Sequence, residues 1–305
     1  MAQPRKRRWW DRWVLLSVAV MTKTWFITGT SSGFGRTLTE QLLERGDRVA
    51  ATLRTPARLD DLAARYGDQL WVRALDVTDT GQLRNVVDAA FAELGRIDVV
   101  VSNAGNGVLG AAEELTDAHI DDTIATNLTA SIQLARAVVP YLRRQGGGRI
   151  LQLSSMGGLM SFPGFSLYHA TKWGIEGFYD AFAAEVEPFG IHTTLVEPGM
   201  VRTPFFAAAV REPEHPAYAD HPAITRTDIP LDHMPGDPAR VASAMIRLAE
   251  LDRPPRRQLL GSDAYALVHD SLTRRLEDVE AQYGVALSTD YDDFANSVAG
   301  RESRA

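Results

Sequence analysis

From Met21 onward, short apolar runs alternate with longer stretches of helical period, and the alternation persists for over two hundred residues. The runs are Thr24 to Thr28, Arg48 to Leu53, Leu70 to Leu75, Asp98 to Ser102, Arg149 to Ser154, His192 to Glu197 and Gln258 to Gly261. Each has the length of a strand. Asp98-Val99-Val100-Val101 is close to uniformly apolar, as expected of a strand covered on both faces. Between the runs, Arg36 to Arg45, Leu83 to Leu94, Ile124 to Arg144 and Ser166 to Phe189 carry apolar residues at amphipathic helical spacing. The alternation predicts βα units on a parallel sheet, an α/β architecture with no repeat or linker to split it.

Two regions break the rhythm. Residues 203 to 238 hold seven prolines and the histidines His215, His221 and His233, too interrupted for an ordinary element; a long insertion of this kind is expected to act as a lid. After Gly261, Ala264 to Tyr283 reads as one more helix, followed by a polar, acidic end. The expected organisation is an extension over residues 1–20, one domain over 21–285 with its lid at about 203–238, and a frayed tail over 286–305.

The composition, 45% hydrophobic and 23% charged over 305 residues, excludes disordered and fibrous chains. The absence of cysteine excludes disulfides, Cys-ligated zinc, iron–sulfur clusters and a thiol nucleophile. The net charge of -7 is uneven: residues 1–20 contain Arg5, Lys6, Arg7, Arg8 and Arg12 against Asp11 alone, so the remainder is more acidic than the whole. An acidic body is a poor binder of nucleic acid or anionic membrane. The basic start, with Trp9, Trp10, Trp13 and the run Val14 to Val20, is too short for a spanning helix of ~20 residues and lacks a cleavage site. It is expected to be a disordered extension, with interfacial membrane contact as the alternative. The three histidines of the insertion lack metal-ligand spacing, and no metal is expected.

The first strand runs into Thr28-Gly29-Thr30-Ser31-Ser32-Gly33-Phe34-Gly35 and then a helix. Such a turn lets the backbone approach a pyrophosphate, and the helix N-terminus offers it unsatisfied N–H groups. The second strand ends on Leu53 and Arg54, where a carboxylate would suit a bare ribose and a guanidinium suits a 2′-phosphate. This favours NADP(H) over NAD(H). Tyr168 and Lys172 lie at i and i+4, one turn apart on a helix. A phenol of ordinary pKa ~10 is a poor base near neutrality, and a neighbouring ammonium is expected to lower it. Only three of the 32 basic residues are lysines, so a lysine at this position is informative.

Taken with Asn103-Ala104-Gly105, Ser154-Ser155 and Pro198-Gly199 in this order, the motifs resemble those of the short-chain dehydrogenase/reductase family over roughly Thr22 to Gly261, in particular members similar to 17β-hydroxysteroid and retinol dehydrogenases. The resemblance implies a single Rossmann-type doubly wound parallel sheet of about seven strands flanked by helices. It implies Tyr168 as general acid/base, Lys172 as the residue that tunes it and holds the nicotinamide ribose, Ser155 as donor to the substrate oxygen, and Asn127 as the kinked asparagine holding a relay water. Ser154 is expected to be a structural neighbour and His169 a helix-surface residue. For the cofactor it implies Gly29, Ser31, Ser32, Gly33, Phe34, Gly35, Arg54, Asp76, Val77, Asn103, Ala104, Gly105, Tyr168, Lys172, Pro198, Gly199 and Thr203.

Leu159, Met160, Phe162, Phe165, Phe205, Phe206 and Val210 suggest an apolar ketone, aldehyde or alcohol as substrate, with no basic residue from Met156 to Phe165. The expected protein is therefore a cytoplasmic carbonyl reductase or alcohol dehydrogenase using NADP, a homodimer or homotetramer with no nucleic-acid partner. Two other readings are weighed. A non-catalytic NADP-binding regulator would be expected to lose Tyr168 or Lys172; a sugar-nucleotide epimerase or dehydratase would carry different glycine spacing and a larger C-terminal domain.

Overall fold

A computed structural model describes residues 22–224 and 230–291. The extension at residues 1–20 and most of the expected tail lie outside the described residues. In chain order the strands are β1 (Thr24–Thr28), β2 (Arg48–Leu53), β3 (Leu70–Ala74), β4 (Val99–Ser102), β5 (Val108–Leu109), β6 (Gly148–Leu153), β7 (Ile191–Pro198), β8 (Val210–Arg211) and β9 (Arg257–Leu260). The helices are α1 (Gly33–Glu44), α2 (Asp60–Tyr66), α3 (Thr80–Leu94), α4 (Asp117–Ile124), α5 (Ala130–Arg144), α6 (Ser166–Val186), α7 (Phe205–Ala208), α8 (Pro238–Glu250), α9 (Ser262–Ala281) and α10 (Tyr283–Leu287).

Seven strands form one parallel sheet in the order β3-β2-β1-β4-β6-β7-β9. The chain builds outward from β1 to β3, returns to pair β4 with β1, and builds the other way. That reversal opens a crevice at the carboxyl ends of β1 and β4, where open α/β sheets bind ligands.

Successive side chains of a strand point to opposite faces. Trp25 and Ile27 of β1 therefore pack with Leu38 and Leu42 of α1 and Met245 of α8, while Phe26 packs with Leu83 and Phe91 of α3 and Tyr179 of α6. Val99, Val100 and Val101 are all fully buried because both faces are covered. Each such side chain contributes about 1.5–3 kcal/mol by leaving water. Lys23 supports the rim of this packing, its Nζ donating to Ala249 O at the end of α8 at 2.9 Å.

The helix expected over Ile124 to Arg144 is in fact α4, a π-helical turn at Ala125–Thr129, and α5. It starts at Asp117 because Thr116 caps it, accepting from His119 N at 3.2 Å. Helices α2 and α8 were not among the expected segments. Neither were β5 and β8, which pair in parallel beyond the main sheet and are only two residues each, too short to leave a periodicity. That pair fastens the near half of the insertion to the body. Val210 N donates to Gly107 O at 2.9 Å, His215 N to Glu114 Oε1 at 2.8 Å, and Glu212 meets His119. At its far end, Arg202 Nε donates to Met234 O at 2.8 Å. Residues 225–229 of the insertion lie outside the described residues.

Candidate active site

The crevice is a cleft of about 430 Å³ running from Arg54 and Asp76 past the glycine turn to Tyr168 and Phe205. The turn is set by backbone geometry. Gly29 has φ +72°, and a Cβ there would lie 2.9 Å from Ala104 Cα. Gly35 does not line the cleft; it packs behind the turn, where a Cβ would meet Gly29 O at 2.3 Å. Ser31, Ser32, Gly33 and Phe34 line the wall, and the Ser32 side chain does not cap α1, which leaves first-turn N–H groups available to an anion.

Thr28 joins β1 to the β4 end. Its Oγ1 accepts from Asn103 N at 3.0 Å and Ala104 N at 3.1 Å, and Asn103 Nδ2 donates to Thr28 O at 2.8 Å. With Gly105 these form the floor. At the far end Arg54 is exposed at the tip of β2, opposite Asp76 and Val77. Donation from Thr78 Oγ1 at 2.7 Å and Thr78 N at 3.0 Å holds the Asp76 carboxyl below its ordinary pKa, Arg54 adding a smaller effect. Pro198, Gly199 and Thr203 complete the opposite wall. This wall also depends on a residue outside the expected site: Asp263 at the start of α9 accepts from Met200 N at 2.7 Å and fills the space beside Gly199.

Tyr168, Ser155 and Lys172 converge on the cleft from α6 and the end of β6. Tyr168 is 9% exposed, its ring 4.7 Å from that of Phe165 and 5.5 Å from that of Phe205. Burial pushes its phenol up to about 12, against a lowering hydrogen bond from Ser155. The expected lowering by Lys172 does not prevail. The Lys172 ammonium lies 5.6 Å from the ring centroid and donates instead to Leu153 O at 2.9 Å, and burial pushes it down to about 8. Desolvation outweighs the pair attraction because both groups are enclosed.

Asn127 sits in the π-turn, as its expected kink implies, yet it backs the cleft rather than lining it. Its Oδ1 accepts from Asn106 N at 2.9 Å, and its Nδ2 donates to Asn106 O at 2.9 Å and Thr171 Oγ1 at 3.3 Å. The amide is thus committed to fixing the loop after Gly105.

His169 is a correction. It is buried at 4% exposure, not on the helix surface. Its Nδ1 bonds Gly157 O at 2.8 Å and its Nε2 accepts from Phe162 N at 3.2 Å, so Nδ1 carries the proton and the ring clamps the 157–162 loop to α6. Ser154 lines the cleft beside Ser155, and its hydroxyl bonds Glu176. Glu176 in turn accepts from Arg257 Nε at 2.9 Å, and the second arm of Arg257 takes Asp180 at 2.6 Å. Phe162, Phe165, Phe205 and Phe206 line the cleft beside Tyr168, with Phe165 stacked on Phe206 at 6.2 Å. Leu159 and Met160 turn away to pack with Ala264 and Val268, and Val210 is an exposed strand residue. Among the described residues there is no cluster of three or more metal-ligating side chains, and no helix is long and apolar enough to cross a membrane.

Comparison with known proteins gives one consistent picture. A family model described as short chain dehydrogenase matches residues 23–214. An oxidoreductase of Botryotinia fuckeliana, BOA17, is 37% identical over 251 residues, covering 80% of this chain and 90% of its own. Human 17-beta-hydroxysteroid dehydrogenase type 1 is 34% identical over 216 residues, 68% of this chain and 63% of its own. Among solved structures, a short-chain dehydrogenase from Streptomyces avermitilis superposes with TM-score 0.83 at 38% identity, covering 88% of this chain and all of that one. An alcohol dehydrogenase from Thermococcus sibiricus complexed with 5-hydroxy-NADP superposes with TM-score 0.67 at 25% identity, covering 78% of this chain and 96% of its own.

Proposed function

The chain belongs to the short-chain dehydrogenase/reductase family, and on that premise we propose that it is an NADP(H)-dependent oxidoreductase interconverting a ketone or aldehyde and an alcohol on an apolar substrate. One observation carries the reading: a phenol and a serine hydroxyl share the apolar end of a cleft whose other end is a glycine turn at a helix N-terminus. The residues fit a dinucleotide. Gly29 keeps the floor clear of a Cβ, the first turn of α1 presents N–H groups to a pyrophosphate, and Arg54 with no carboxylate at Leu53 suits a 2′-phosphate. When bound, the cofactor supplies or accepts the hydride.

The chain's own residues do the rest. Ser155 donates to the substrate oxygen. Tyr168, with a phenol pushed up to about 12, holds its proton at neutral pH and is ready to give it to a developing alkoxide. The protein alone is therefore poised for carbonyl reduction; alcohol oxidation needs the phenolate, and so needs a further positive charge near the ring. Lys172 supplies part of that charge and a donor for the nicotinamide ribose. The aromatic wall of Phe162, Phe165, Phe205 and Phe206 excludes water and suits an apolar body beside the carbonyl.

A homodimer or homotetramer in the cytoplasm belongs to the same reading. Intact Tyr168 and Lys172 argue against a cofactor-sensing regulator, and the glycine spacing of Gly29, Gly33 and Gly35 argues against an epimerase or dehydratase. The test is cofactor oxidation over a panel of apolar ketones and aldehydes, with NADPH and NADH in parallel and Tyr168→Phe as control. Turnover should favour NADPH by roughly tenfold or more, about 1.4 kcal/mol of discrimination. The preference should reverse in Arg54→Glu, and Tyr168→Phe should bind cofactor without turnover. Cofactor binding with no turnover anywhere on the panel would point to the regulator instead, and a wild-type preference for NADH would overturn the NADP assignment.

A further inference from the structure

Two consecutive residues at the end of β6 are gripped by two side chains one turn apart on α6. Lys172 Nζ donates to Leu153 O at 2.9 Å, and Ser154 Oγ donates to the carboxylate of Glu176. The i, i+4 spacing puts the two side chains about 5–6 Å apart at Cβ, and their neighbouring anchor points on β6 keep the charged ends together. Both are enclosed, at 6% and 5% exposure. Glu176 also packs against the turn after Ser155: a Cβ on Gly158 would lie 2.8 Å from its Cγ and 3.0 Å from its Oε1. In that same turn Gly157 N donates to Ser155 Oγ at 3.0 Å.

We propose that Glu176 is a positioning residue for the reaction, the buried counter-charge of the Lys172 ammonium and the brace behind the turn that carries Ser155. The surrounding charges select this role. Arg257 Nε takes Glu176 at 2.9 Å while its other arm takes Asp180 at 2.6 Å, so the guanidinium is shared and does not neutralise Glu176 by itself. Lys172 and Arg257 together then stand against Glu176 and Asp180. The other titratable groups facing the pair are uncharged at neutral pH. Glu197 of β7 keeps its proton, Tyr168 keeps its phenol proton, and burial lowers His169. Burial likewise pushes Lys172 down, and Glu176 is the group that works against it. A lone ammonium at this depth would give up its proton. Once Tyr168 has protonated an alkoxide it is a phenolate, and it needs that ammonium beside it. This last step rests on the oxidoreductase reading; the charge pairing does not.

The chain has three lysines, Lys6, Lys23 and Lys172, which allows a direct test on the full-length protein. Lysine labelled with carbon-13 at Cε gives one resonance for each, and that of Lys172 is the one missing from Lys172→Met. Its titration is followed by NMR without cofactor or substrate. The substitutions are made in a Glu197→Gln chain, because Glu197, freed from the repulsion of Glu176, would ionise and take its place. In that background Lys172 should titrate at about 8, and Glu176→Gln should move it down by about one pH unit, a tenfold change in protonation. Glu176→Asp keeps the charge on a stem one methylene shorter, so it should leave the titration in place while loosening the Ser155 turn. The alkaline limb of the pH–rate profile for ketone reduction with NADPH should follow the resonance, moving in the Gln chain and staying in the Asp chain. A Lys172 titration that Glu176→Gln does not move, or that Glu176→Asp moves as far, would overturn the proposal; the Asp result decides alone if the Gln chain does not fold. Resonances that behave as expected in chains without turnover would sink the oxidoreductase reading and leave the counter-charge standing.

Discussion

Glu197 offers the sharpest test of the electrostatics behind the site. It lies in β7 at 1% exposure, against the carboxyl of Glu176. Arg257 sits 3.5 Å from it but is already held by Glu176 at 2.9 Å and Asp180 at 2.6 Å. Burial first, and repulsion from Glu176 second, push Glu197 from 4.5 up to about 8, so at neutral pH it keeps its proton. The folded pKa lies above the unfolded one. The unfolded chain therefore releases a proton that the folded chain retains, and stability falls as pH rises from about 4.5 to about 8. The loss at pH 7 is up to about 3 kcal/mol, and at pH 5 it is under about 1 kcal/mol. Glu197→Gln removes the titration while keeping shape and a donor toward Glu176. It should raise the melting temperature by up to about 6 °C at pH 7 and by about 1–2 °C at pH 5. Calorimetry or dye-monitored melting across that window is the assay. An equal shift at both pH values, or a loss of stability at pH 7, would show that Glu197 is ionised in the folded protein and that Arg257 serves it directly.

Other outcomes follow from the same geometry. Lys172→Met should lose turnover yet melt higher at pH 7. Burial lowers the lysine to about 8 from 10.5, so its charge costs the fold about 3 kcal/mol at neutral pH, less about 1 kcal/mol for the bond to Leu153; the gain should shrink as pH rises through 8 to 10.5. Gly35→Ala forces a Cβ to within 2.3 Å of Gly29 O and 2.6 Å of Asn103 Nδ2, and should cost about 1–3 kcal/mol in melting together with a weakened cofactor titration. His169→Leu leaves the Phe162 N–H and Gly157 carbonyl without their partner, a cost of about 1–3 kcal/mol. Because those groups hold the loop that carries Phe162, KM for apolar substrates should rise more than kcat falls. An unchanged KM would mean that the loop keeps its place without the imidazole.

Much of the fold and the cofactor wall was legible in the chain because those features are local. A buried parallel strand must be apolar along its length, as Val99 to Val101 are. A helix brings i and i+4 together, as with Tyr168 and Lys172, and a turn crowding Gly29 against Gly35 admits no Cβ. Other features join positions far apart in the chain, and no spacing announces them. Glu176, Glu197 and Arg257 meet through the pairing of β7 with β9 beside α6. Asp263 reaches back across 63 residues to Met200. His169 reads as a surface residue until the 157–162 loop folds over it. The phenol shows the difference most plainly. The sequence placed a cation one turn from Tyr168 and so predicted a lowered pKa, but Phe165, Phe205 and the closed cleft strip water from both groups. Neighbouring charge can be read along a helix; desolvation depends on everything packed around the group, and only the tertiary structure decides it.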